Sequence, residues 1–141
     1  MSEHVSKSLR RAVIARAHAC CEYCGLPEGM LTLPHEPDHV IATQHGGKTS
    51  LDNLAYTCFR CNRLKGPNIA SLDPATGLAT LLFNPRTDLW SAHFRWGGGV
   101  IIALTPTGRA TVGLLKLNDP ERIALRDSLM HQGRYPFATS T

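Results

Sequence analysis

Two Cys-x-x-Cys pairs, Cys21 with Cys24 and Cys58 with Cys61, constrain this chain of 141 residues more than any other feature. Thirty-three residues separate Cys24 from Cys58, too many for a compact zinc ribbon. Four thiolates in this pattern make a tetrahedral site for Zn²⁺ with every position filled by protein, which is the signature of a structural zinc. The segment between the pairs is therefore held by the metal rather than being a loop of it. Gly25 supplies the tight turn that the first pair needs. Coincidental buried cysteines and a redox pair are the competing readings. The N-terminus, MSEHVSKSLRR, has no apolar core for a signal peptide, and no stretch approaches a membrane span. A cytoplasmic location is expected, where thiols stay reduced and paired cysteines favour metal over disulfides. Cys20 lies four residues before Cys24 and is read as a small buried side chain.

The hydrophobic fraction of 43% supports a modest core, so the chain is expected to form a module at 1–67 with an extension at 68–141, packed as one domain. The net charge of +4 divides as +2 and +2 between those halves. Neither is a basic tail, and charge alone indicates a polyanionic partner only weakly.

The stretch 38–65, DHVIATQHGGKTSLDNLAYTCFRCNRLK, holds the residue types that phosphodiester chemistry requires. Hydrolysis needs a nucleophile made from water, neutralisation of the phosphoryl oxygens, and assistance to the leaving oxygen. Asp38 and the amide oxygen of Asn62 are hard ligands suited to Mg²⁺ or Mn²⁺ in an open site. His39 has an ordinary pKa near neutrality and can take a proton from water. Asn53 can orient His39 or fix the loop that carries it. Neighbours on a regular strand point to opposite faces, so Asp38 and His39 can serve one phosphate only if the backbone bulges or leaves the strand there. Asp38–Ala42 reads as a short strand, Gly46–Gly47 as a turn and Leu51 as the return strand. A helix capped by Asp52 or Asn53 follows, with Leu54, Cys58, Cys61 and Leu64 at helical spacing and Gly66–Pro67 as its stop.

In register, Asp38-His39-Val40-Ile41, Gly46-Gly47, Asp52-Asn53-Leu54 and Cys58-x-x-Cys61-Asn62-x-x-Lys65-Gly66 closely resemble the HNH endonuclease motif. The resemblance covers about residues 20 to 67. It implies an α+β fold with a ββα-metal core, and a metal-dependent nuclease acting on double-stranded DNA. By it, His39 is the general base, Asn53 the central Asn, and Asp38 and Asn62 the ligands of a catalytic Mg²⁺ or Mn²⁺. The motif's final His is replaced by Asn62, a variation seen in active members, and the four cysteines match the subset with a structural zinc. The alternative is a non-catalytic zinc module that binds nucleic acid or a protein partner.

Outside the motif, Ser6 is expected to cap a helix to about Ala19 studded with Lys7, Arg10, Arg11 and Arg16. The segment 26–37 reads as irregular and 68–79 as a turn-rich linker. Leu81–Phe83, Ala92–Trp96 and Val100–Leu104 read as strands, Thr107–Leu117 as a helix, and a second helix starts at Asn118 or Asp119 with Pro120 at its first position and runs to about Gln132. His45, Arg60, Arg63 and Lys65 are the candidates for nucleic-acid contact, against the plainer reading of a solvated turn and helix face. Arg86 and Arg95 are further candidates. His35 reads as loop surface. Trp90, His93, Phe94 and Trp96 read as core in preference to a base-stacking platform.

Overall fold

The computed structural model describes residues 4–135. Ser6 caps the first helix, α1 (Lys7–Arg16), its hydroxyl accepting from the Leu9 amide at 3.2 Å. Val13 is its buried face, and with Leu9, Ile14 and Ala17 it packs on Leu54 and Tyr56. The helix stops three residues before the expected Ala19, because His18 and Ala19 adopt left-handed φ values of 53° and 57°. That reversal delivers the chain directly into the first cysteine pair.

Strand β1 (Glu36–His39) pairs antiparallel with β2 (Leu54–Thr57), Asp38 opposite Ala55 and His39 opposite Leu54. Helix α2 (Phe59–Lys65) follows at once, with Cys58 as its N-cap. Both strand expectations need correction. The first strand ends at His39 rather than Ala42, and the return strand is 54–57 rather than Leu51. Nor does a helix begin at Asp52 or Asn53. All four residues of Leu54–Thr57 are buried, so the segment is covered on both faces and shows no period-two alternation that would have identified it.

The second half is built from two hairpins and three helices. Strands β3 (Ala70–Leu72) and β4 (Ala79–Leu81) occupy the expected linker, and Asp73 closes their turn. A single turn of helix, α3 (Trp90–His93), leads into β5 (Phe94–Gly97), which pairs with β6 (Val100–Ala103). Strand character is thus absent from Leu82, Phe83, Ala92, His93 and Leu104, although Leu82 and Phe83 are buried. Helix α4 (Pro106–Leu115) is capped by the Thr105 hydroxyl, and α5 (Pro120–His131) starts with Pro120 behind Asp119, close to the expected bounds. The architecture is α+β, with three separate two-stranded sheets.

One core runs through both halves: Cys21, Tyr23, Cys24, Leu26, Cys58 and Cys61 share it with Phe83, Phe94, Ile101, Leu115, Leu117 and Leu129. Trp90 stacks on Trp96 at 4.6 Å between ring centroids and donates its indole N–H to the Tyr23 carbonyl at 3.0 Å. Of the four aromatics read as core, Phe94 is buried, Trp90 and Trp96 are partly buried and packed against the core, and His93 is half-buried with its ring edge-on to Phe83. No helix among the described residues is long and apolar enough to cross a membrane.

Candidate functional site

The first cysteine pair is folded by its own backbone. The Cys21 amide donates to the Leu26 carbonyl at 2.9 Å, the Gly25 amide to the Cys21 carbonyl at 2.8 Å, and Gly25 takes a left-handed φ of 79°. Glu22 ties this loop to β2 twice: its amide donates to the Tyr56 carbonyl and its carboxylate accepts from the Tyr56 amide, both at 2.9 Å. The second pair sits where β2 passes into α2, the Cys61 amide donating to Cys58 Sγ at 3.4 Å. The four sulfurs converge within 4.8 Å of one another, and all four residues are buried.

A tetrahedron with bonds of about 2.3 Å to each sulfur has edges of about 3.8 Å. The Cys24 and Cys58 sulfurs lie 3.8 Å apart. Donor set, enclosure and spacing therefore fit a structural Zn²⁺. Cys20 is outside the cluster, its thiol directed at the His18 carbonyl and pushed up to about 11 by burial. That is the inert behaviour expected of it.

A second group of polar side chains gathers at the C-terminal end of β1. Asp38 and His39 are consecutive residues of a regular ladder, so the expected bulge is absent and the chain bends only after His39. Lys65, from the last turn of α2, reaches beneath both: its Nζ lies 3.8 Å from Asp38 Oδ2 and donates to the His39 carbonyl at 3.2 Å. It is only 2% exposed. Burial lowers the Lys65 pKa while the Asp38 charge opposes that shift. Burial also raises the Asp38 pKa, against the pull of Lys65 and His39. Asp38 Oδ2 is buried without a hydrogen-bond partner, yet the side chain is 19% exposed, so its open surface lies on its other atoms. Asn62 stands one turn before Lys65 on α2 and is half-buried. His39 is 7% exposed, and its Nε2 lies 2.8 Å from the Thr49 hydroxyl.

Asn53 holds the loop that brings Thr49 there. Its side chain accepts from the Ile41 amide at 3.0 Å and donates to the Ile41 and Lys48 carbonyls, both at 2.9 Å. The Val40 amide donates to the Asn53 carbonyl at 2.9 Å. Gly47 is required by this closure, since a Cβ there would lie 1.7 Å from the Ile41 carbonyl oxygen and 2.8 Å from Asn53 Nδ2. Of the two roles open to Asn53 in the sequence, its contacts are those of a loop clamp.

The candidate nucleic-acid contacts divide. His45 is exposed at the end of a one-turn 3-10 segment, and Arg63 is exposed on α2. Lys65 does not share that surface, being enclosed beneath Asp38 and His39. Arg60 is held by Asp119, and by Glu121 at 2.9 Å, at the start of α5. Arg86 is paired with Glu22, whereas Arg95 is exposed. In α1, Arg10 pairs with Glu36 at 2.7 Å, and Arg16 donates to the Leu51 carbonyl at 2.6 Å and to that of Leu54. Lys7 and Arg11 are exposed. His35 is not loop surface: it is fully buried, with Nε2 2.9 Å from the Leu26 carbonyl and its ring against Tyr56.

Two residues beside the cysteines were not singled out for the site from sequence. Arg122 donates to Cys61 Sγ at 3.1 Å and Cys58 Sγ at 3.7 Å, while its other terminal nitrogen serves the Leu115 and Lys116 carbonyls. Tyr135 donates its hydroxyl to the Cys24 carbonyl. A usable signal exists for the first: Arg122, Arg126 and Leu129 fall at i, i+4, i+7, placing two arginines on the buried stripe of α5.

Residues 21–68 match the family model described as HNH endonuclease, which spans both cysteine pairs, Asp38, His39, Asn53 and Asn62. Searches of curated proteins and of solved structures give no match.

Proposed function

We propose that the HNH endonuclease domain at residues 21–68 is the cutting site of a metal-dependent nuclease that hydrolyses phosphodiester bonds in DNA. In this reading β1, β2 and α2 are a ββα-metal core, and the zinc only holds it together. The carrying observation is the state of Asp38: its buried oxygen lacks a hydrogen bond and is backed by Lys65, while 19% of the side chain stays exposed. A buried, unsatisfied carboxylate oxygen is costly and rare without a functional reason.

Asp38 and Asn62 would hold a divalent ion of the Mg²⁺ or Mn²⁺ class, whose contribution when bound is to neutralise phosphoryl charge and assist the leaving oxygen. With Nε2 at Thr49, Nδ1 of His39 is assigned to take the proton from the attacking water. Asn53 keeps Thr49 and the His39 end of β1 in place by clamping the loop at Ile41 and Lys48. His45, Arg63 and Arg95 are solvent-facing groups available to backbone phosphates, an assignment that excludes the enclosed Lys65.

Two observations favour the other reading, a zinc module without catalysis: only 7% of His39 is exposed, which restricts the approach of water, and Asp38 and His39 are neighbours on a regular ladder, whose side chains point to opposite faces. Plasmid nicking by zinc-loaded protein separates the two. Wild type is expected to nick only when Mg²⁺ or Mn²⁺ is supplied, and His39→Ala to lose on the order of 10²- to 10⁴-fold in rate with zinc content unchanged. Equal cutting by both proteins, independent of added divalent ion, would overturn the assignment.

A further inference from the structure

Helix α5 carries two guanidinium groups into the core without a carboxylate for either. Arg122 is 5% exposed and Arg126 is fully buried. Among the described residues, neither is in an ion pair with Asp or Glu. Arginine stays ionised in proteins, so each is a full positive charge in a low-dielectric interior. Carbonyl oxygens meet part of the need: Arg126 donates to Gly99 at 2.7 Å and Leu117 at 2.6 Å, and Arg122 to Leu115 at 2.9 Å. Dipoles solvate a charge but do not neutralise it, and a buried uncompensated ion costs several kcal/mol.

The missing negative charge lies beside them. Four thiolates around one divalent ion carry two net negative charges, matching the two guanidiniums. Arg122 is in direct contact with that cluster, its Nη2 donating to Cys61 Sγ at 3.1 Å and Cys58 Sγ at 3.7 Å. Arg126 stands one turn further along α5, its guanidinium donating to the Gly99 and Leu117 carbonyls rather than to a sulfur.

We infer that the C-terminal extension is part of the metal centre: Arg122 is a guanidinium cap that hydrogen-bonds the dianionic zinc–tetrathiolate and offsets its charge. Arg122 acts through the sulfurs and does not ligate the ion, so it is a positioning residue. The cap gives the extension a role independent of any nuclease activity, because it follows from charge balance and N–H···S geometry alone. Arg60, Tyr135 and Trp90 add three further ties between the extension and the cysteine-bearing segments.

The test uses the full chain. Zinc affinity is measured by competition with a chromophoric chelator for wild type, Arg122→Met, Arg122→Lys and the exposed control Arg134→Met. Loss of an outer-shell partner typically weakens metal binding 10- to 100-fold. Arg122→Met is expected to fall in that range, Arg122→Lys between it and wild type, and Arg134→Met at wild type. Should Arg122→Met fail to fold, the cobalt(II) form of Arg122→Lys decides. Removing N–H···S bonds raises sulfur electron density, so its sulfur-to-cobalt charge-transfer band is expected at longer wavelength than in wild type. Wild-type zinc affinity in a folded Arg122 variant, or an unmoved cobalt band in Arg122→Lys, would overturn the proposal.

Discussion

The two polar centres of this small protein lie on the same strand–helix unit yet are finished in opposite ways. Around the four cysteines every direction is closed: the sulfurs are buried, Arg122 donates to two of them, and Tyr135 and Trp90 brace the loop from behind. Around Asp38 and His39 the closure is less complete: Lys65 and the loop that Asn53 clamps cover them from inside, and the Asp38 side chain keeps 19% of its surface exposed. The difference shows how one fold can separate stability from chemistry. A centre whose ligands are all protein contributes folding energy and has no room for substrate, whereas the partly exposed carboxylate of Asp38 is, in the proposed reading, free to take an ion.

The contrast predicts a hierarchy of effects. Replacing a cysteine should be the most damaging change, because apparent zinc binding energies of about 10–16 kcal/mol are folding energy in small zinc modules. Cys58→Ser is expected to lose zinc and the cooperative unfolding transition followed by circular dichroism; a folded, zinc-replete Cys58→Ser would remove the distinction between the two centres. His39→Ala sharpens it from the other side. Nicking should fall by on the order of 10²- to 10⁴-fold, with the zinc content of wild type and a cooperative melting transition that shifts far less than in Cys58→Ser.

Asn53→Ala lies between these extremes. It removes three hydrogen bonds of about 1 kcal/mol each and leaves the Ile41 amide without its partner. Stability is expected to fall by about 2–4 kcal/mol, and amide exchange should quicken across residues 40–53 but not at the cysteine loops. Uniform quickening would show that loop and clamp are one cooperative unit.

The mildest effect is on acidification. The Arg109 guanidinium, donating to both oxygens at 2.9 and 2.8 Å, holds the Asp73 carboxyl down to about 2. A depressed carboxyl stabilises the fold above its unfolded pKa of about 3.9 and loses that contribution as pH falls toward the folded value. Wild type should therefore lose part of its stability between about pH 4 and 2, and Asp73→Asn should lose less over that range. Identical pH profiles would mean that the β3–β4 turn is held by other contacts.

Much of the site was legible because its residues lie close in sequence and its chemistry is tied to residue type. The cysteine spacing announced a tetrathiolate, and Asp38, His39, Asn53 and Asn62 lie within 25 residues of one another. The caps at Ser6 and before Pro120 were equally readable, being local hydrogen-bonding and φ preferences. What escaped was decided by burial from distant parts of the chain. Leu54–Thr57 reads like the start of a helix but is a strand covered on both faces. His35 reads as a loop residue but is enclosed against Leu26 and Tyr56. Lys65 and Arg60 read as a basic helix face until Asp38 and the start of α5 are placed beside them. The contact between Arg122 and Cys61 spans 61 positions, and no local pattern encodes such a pairing.

The proposed division between a closed structural zinc and a second, ion-binding centre at Asp38 is tested most directly by counting metals. Zinc by atomic emission and Mn²⁺ by equilibrium titration, on wild type and Asp38→Ala, should give one zinc in each protein. A single Mn²⁺ site is expected in wild type, lost or weakened beyond measurement in Asp38→Ala. Mn²⁺ binding that survives the substitution, or that proceeds by displacing zinc, would contradict the account.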